Sequence, residues 1–141
     1  MHLTRLVMLA EWLEAGAPEK DNVTRFSMTN WIVPQKNSCG TACCIAGATV
    51  QFFNDEARTF KSEQDVYNAS LKGVQEYARG LLDLTKDQAN DLFYANEYFI
   101  VENEDALYYS KALKAITPAH AARVIRKFIA TGEIDYIGCE A

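Results

Sequence analysis

The sequence predicts a mainly α protein, a compact single-core helical domain of about five helices over residues 1–141, with a minor two-stranded element near 98–101 and 134–137. Three observations carry this reading. Apolar residues recur at helical spacing in the first segment, at Leu3, Leu6, Val7, Ala10 and Leu13. Thr85-Lys86-Asp87-Gln88 has the form of a capping box. Thr117-Pro118 opens, and Gly132 closes, an apolar stripe of Ala121, Val124, Ile125, Phe128 and Ile129.

Taken in order, the first helix ends at Gly16 and Pro18, both stop signals. Residues 17–38 are irregular and polar apart from Phe26, Met28, Trp31, Ile32 and Val33, the pattern of a loop pinned to the core by aromatic anchors, with Trp31 as a core plug. A second helix is predicted over 40–53, capped by Ser38 or Thr41 and facing the core with Ala42, Ile45, Ala46, Thr49 and Phe53. Residues 54–68 read as a loop or a short helical turn. A third helix follows over 70–82 through Leu71, Val74, Ala78, Leu81 and Leu82. Leu84 and Ala89 flank the capping box where a hydrophobic staple would sit, and a short helix runs on through Leu92, Phe93 and Tyr94. Tyr98-Phe99-Ile100-Val101 is the best strand candidate, and the Thr117 helix completes the set.

With 141 residues and 49% hydrophobic side chains, the chain can bury one good core. A net charge of −5 argues against a phosphate-binding surface, which needs clustered Lys and Arg, so no nucleic-acid partner is expected. No run reaches the roughly 20 apolar residues that cross a bilayer, and Arg5 and Glu11 interrupt the first segment; neither membrane insertion nor secretion is expected. The expected location is the cytoplasm, or the host cytoplasm if the chain is phage-encoded, and Cys39, Cys43, Cys44 and Cys139 then read as thiols.

Three of those cysteines fall within Ser38-Cys39-Gly40-Thr41-Ala42-Cys43-Cys44, where the second helix is expected to begin. A thiol at a helix N-terminus feels the partial positive charge of unpaired amides, which favours thiolate, and Cys39 is placed for that. The segment from Gln35 to Ala42 resembles the Gln…Cys-Gly-x-Ala start of papain-like peptidases, which implies Cys39 as nucleophile and Gln35 as an oxyanion donor, although Gln35 lies only four residues before Cys39. His120 is the interior candidate for the base, yet its place in the first turn of a Thr-capped helix favours an exposed polar role that closes that turn. The favoured reading of Cys39, Cys43 and Cys44 is compact packing. No metal or other cofactor is expected, since Cys39, Cys43 and Cys139 with His2 or His120 lack a Cys-x2-Cys knuckle.

Three blocks also resemble a widespread, functionally uncharacterised family of small bacterial and phage proteins. They are Phe26-Ser27-Met28-Thr29-Asn30-Trp31 (Phe-x-Met-x-x-Trp), Cys39 to Gly47 (Cys-Gly-Thr-x-x-Cys-Ile-Ala-Gly) and Leu82 to Tyr94 (close to Leu-Thr-x-x-Gln-Ala-x-x-Leu-Phe), and the Ile116-Thr117-Pro118 helix start also fits. The resemblance implies a shared fold and no particular activity. Members often continue the second block as Gly-His-Ala; here Ala48 and Thr49 follow Gly47.

A second candidate region is the acidic, aromatic run from Asn96 to Tyr109. Tyrosines beside a charged rim suit protein interfaces, so Tyr98, Phe99, Glu102, Glu104, Asp105 and Tyr108 are the candidate partner contacts. The alternative for this run is a solvated loop with its aromatics turned inward. The favoured function is accordingly a non-enzymatic, protein-binding accessory or inhibitory factor, and the rival is a cysteine-dependent hydrolase or acyl-transfer enzyme using Cys39.

Overall fold

A computed structural model describes residues 1–35, 40–101 and 106–140. In chain order the elements are α1 (Leu3–Glu14), β1 (Val23–Phe26), β2 (Ile32–Pro34), β3 (Thr41–Cys43), α2 (Ile45–Phe53), α3 (Glu63–Ser70), α4 (Val74–Leu82), α5 (Lys86–Tyr94), α6 (Asn96–Val101), α7 (Ala106–Ala115) and α8 (Pro118–Thr131). The protein is mainly α, as the periodicity requires. The described residues hold eight helices rather than about five, and a three-stranded sheet in place of a strand pair.

The helix ends follow from local chemistry. His2 caps α1 by accepting the Arg5 N–H on its ring, and Ser62 caps α3 by accepting the Asp65 N–H. Thr85 and Gln88 form the full reciprocal capping box of α5. Thr117 accepts the His120 N–H, Pro118 occupies the first turn, and Gly132 ends α8 in the left-handed conformation at φ 77°.

Helix α2 lies at the centre. Every residue from Ile45 to Gln51 is buried, so it needs neighbours on all sides. The sheet and α4 supply them, while α1 packs along α8. At Gly47 an added Cβ would lie 1.6 Å from the Trp31 carbonyl oxygen, so only glycine lets the chain entering β2 touch the helix. Gln51, also buried, clasps the loop before α3. Its Oε1 accepts the Phe60 N–H at 2.7 Å and its Nε2 donates to the Phe60 carbonyl at 2.7 Å. These bonds satisfy a backbone segment that neither helix nor sheet pairs.

Several expectations are corrected. The second helix starts at Ile45, not Gly40, because residues 41–43 form the central strand, parallel to β1 and antiparallel to β2. All three strand residues are buried, so no alternation marks them, and a three-residue strand of Thr, Ala and Cys reads as a helix start. The segment read as loop over 17–38 contains β1 and β2. The third helix starts at Val74 rather than near Ser70, Leu71 being left-handed at φ 60°, and α3 occupies part of 54–68, which reads in sequence as a loop or a short helical turn. The strand pair near 98–101 and 134–137 is replaced by α6 and a turn-rich C-terminal segment. Burial of Tyr98 under that segment overrides the β-propensity of Tyr-Phe-Ile-Val.

Gly47→Ala should destabilise the fold by about 2 kcal/mol or more, because backbone overlap exceeds the gain in helix propensity; urea titration reads this directly. Gln51→Leu strands both polar groups of Phe60 in the interior and should cost about 2–4 kcal/mol on the same measurement.

Candidate functional site

The described residues hold only part of the cysteine reading. Cys39 lies outside the described residues. Helix α2 begins at Ile45 with Cys44 as its N-cap, so the expected helix start near Cys39 is not there. Cys43 ends β3, fully buried, with its Sγ 3.5 Å from Thr41 Oγ1, and burial pushes its thiol up to about 11. Cys44 donates its N–H to the Asn30 carbonyl at 2.6 Å, and burial pushes its thiol up to about 12. Both are packing residues that hold the central strand to the central helix. Cys139 is a buried free thiol in the C-terminal segment.

Gln35 follows β2, and its N–H donates to the Gly40 carbonyl at 3.0 Å. His120 belongs to the first turn of α8 and is buried, contrary to the exposed position expected, because the C-terminal segment folds over it. Its Nε2 is 2.7 Å from the Tyr136 carbonyl oxygen. A carbonyl only accepts, so that nitrogen carries the proton and donates. Among the described residues no hydrogen bond joins Gln35 to His120, and no group of His, Cys, Asp and Glu could hold a metal ion.

The other region is built on α5, α6 and α7. Tyr98 is turned inward, and its hydroxyl donates to Glu140 Oε1 at 2.7 Å. Burial, together with that neighbouring carboxylate, pushes its phenol far above the ordinary value. Glu97 accepts the Tyr136 N–H, and burial raises its carboxyl. These contacts fix α6 beneath the C-terminal segment. Phe99, half-buried, meets Tyr109 of α7 edge to face at 5.3 Å. Ile100 and Leu107 point outward at 70% and 69% exposure, with Tyr108 at 38%. Glu102, Glu104 and Asp105 lie outside the described residues; in sequence they connect α6 to α7.

Beside Phe99 and Tyr109 a pocket of about 480 Å³ opens between the chain entering β2, the end of α5, and α6 and α7. Trp31 and Tyr94, edge to face at 5.2 Å, line it with Phe93, Met28 and Leu113. Helix α7 contributes Ala106, Tyr109, Ser110 and Leu113, one face at i, i+3, i+4 and i+7, yet none of its residues is fully buried. No local sequence pattern marks this site. Its residues come from three separated segments, and Trp31, read as a core plug, is half-buried at the wall.

Comparison of the chain with models of protein families, with curated proteins and with solved structures finds no match.

Burial of Cys43 and Cys44 gives a signed pH effect. The folded state holds both thiol protons more tightly than the unfolded chain, so their contribution is complete below about pH 8.5, where an unfolded thiol begins to ionise. It is lost as pH rises toward about 11 and 12. Unfolding free energy should fall between these limits with a slope of up to about 1.4 kcal/mol per pH unit for each thiol. Urea titrations of the protein and of Cys44→Ala should differ in that slope.

Proposed function

We propose that this protein is a non-enzymatic accessory or inhibitory factor of a bacterium or its phage, and that it acts by binding another protein through its α6–α7 face. The observation that carries this reading is the outward display of Ile100, Leu107 and Tyr108 on two successive helices, beside the half-buried Phe99. Burying one large aliphatic side chain releases about 1.5–3 kcal/mol, so two such residues on neighbouring helices supply a useful anchor for an interface. The acidic residues Glu102, Glu104 and Asp105 fall between them in sequence, and the whole chain carries −5, so the partner surface suited to this face is apolar with a basic rim. Tyr98 supports the face from beneath, through Glu140 and the C-terminal segment.

The three blocks at residues 26–31, 39–47 and 82–94 support placement among small bacterial and phage proteins. The acidic balance favours a protein partner over nucleic acid. No helix among the described residues is long and apolar enough to cross a membrane.

The test compares the protein with an Ile100→Asp, Leu107→Asp double variant as baits in a bacterial lysate, with recovered proteins identified by mass spectrometry and rebound in purified form. Both side chains are exposed, so the variant should melt within a few degrees of the parent. A purified partner should bind the parent, weaken with added salt, and lose at least about tenfold in affinity for the variant, the equivalent of about 1.4 kcal/mol. A partner held equally by both baits contradicts this assignment of the face.

A further inference from the structure

The aromatic pocket is chemically distinct from the outward face of α6 and α7. Its volume of about 480 Å³ falls within the size range of small-molecule sites. Among the described residues no charged side chain lines it, so a ligand carrying net charge would lose hydration with no counter-charge to replace it. The two tyrosines also have their hydroxyls engaged elsewhere. The Tyr94 hydroxyl donates to Gln75 Oε1 at 2.9 Å, and the Tyr109 hydroxyl donates to the Tyr94 carbonyl. What these rings offer to the pocket is therefore aromatic surface, suited to stacking or edge-to-face contact with a planar guest.

Besides the hydroxyls of Thr29 and Ser110, two amides line the pocket. Asn30 and Asn96 both border the pocket, and neither side-chain amide hydrogen-bonds to another described residue. Asn30 is held through its backbone, whose carbonyl accepts the Cys44 N–H and whose N–H donates to the Ser27 carbonyl, leaving the side chain to the pocket. An amide offers a donor and an acceptor in one plane, the complement of a heteroaromatic edge with a ring N–H beside a ring nitrogen. The face of α7 that lines the pocket is only partly covered, and a guest seated against Tyr109 and Leu113 would complete its burial.

We propose that this pocket is a binding site for an uncharged, planar heteroaromatic molecule of one or two rings, held by the Trp31, Tyr94, Phe99 and Tyr109 rings and oriented by the Asn30 and Asn96 amides. The site is independent of protein binding at Ile100 and Leu107.

The test uses indazole as probe, titrated into the whole protein and followed by two-dimensional amide and indole NMR. A dissociation constant on the order of 0.1 mM is expected, the strength that about nine non-hydrogen atoms reach at ordinary ligand efficiency. Saturable shifts should centre on the Trp31 indole N–H and on the amides of Asn30, Asn96 and Ser110. Ser110→Phe, which fills the pocket from α7, should abolish binding. Should that variant not fold, the paired change Asn30→Ala, Asn96→Ala should weaken indazole about tenfold at unchanged thermal stability. Indazole-3-carboxylate should bind at least about tenfold more weakly than indazole, for want of a cation. Ile100→Asp, Leu107→Asp should leave indazole affinity unchanged. Absence of saturable shifts at millimolar indazole overturns the proposal, as does equal binding of the carboxylate or shifts that survive both pocket variants.

Discussion

The close contact between the start of α2 and residues 30–31 is the constraint on which the rest of the architecture depends. Cys44 donates its N–H to the Asn30 carbonyl, and three residues later Gly47 leaves room for the Trp31 carbonyl against the helix. Together they seat the chain entering β2 on a helix that is buried on every side. The antiparallel pairing of Ile32 with Cys43 extends the same contact into the sheet. Because the backbone at Trp31 is fixed in this way, its ring meets Tyr94 edge to face, and the wall of the aromatic pocket is inherited from the core. Burial of Cys43 and Cys44 belongs to this arrangement, which explains why both thiols are held protonated.

A second organising contact is Tyr136. It is fully buried, its hydroxyl donates to the Leu92 carbonyl, its N–H donates to Glu97, and its carbonyl accepts from His120 Nε2. One residue thus ties the C-terminal segment to α5, α6 and α8. Arg123 reinforces it by donating to the Cys139 carbonyl at 2.8 Å and the Glu140 carbonyl at 3.0 Å. Buried polar groups satisfied this fully rigidify what they join. Helix α7 is held more lightly: none of its residues is fully buried, while Tyr109 donates to the Tyr94 carbonyl and Ala112 and Leu113 pack against the core half-buried. Leu107 and Tyr108 are displayed on this half-buried helix, and Ile100 on the neighbouring α6.

Signals confined to a few adjacent residues were legible. Thr85 with Gln88, and Thr117 with Pro118 and Gly132, mark helix ends by hydrogen bonds and dihedral limits that act within one turn. The apolar stripes of α1 and α8 were equally plain, since each helix buries one face. The sheet was not legible, because Thr41-Ala42-Cys43 is buried throughout and too short to alternate. The burial of His120 was hidden for a different reason: it depends on Tyr136, sixteen residues away, folding back over α8. Of the acidic aromatic run, the inward turn of Tyr98 and the outward turn of Ile100 depend on tertiary burial that no local pattern encodes. The pocket was invisible for the same reason, its walls coming from residues near 30, 94, 99 and 109.

Native-state hydrogen exchange at the Cys44 amide tests the central contact most directly. If α2 and residues 30–31 form one cooperative unit, this amide, bonded across that contact at 2.6 Å, should exchange only through global unfolding, with the same free energy as amides inside α2. Exchange at Cys44 through a local opening well below the global value would contradict the account. The entry to β2 would then move independently of the helix, and the core could not be what fixes the pocket wall at Trp31.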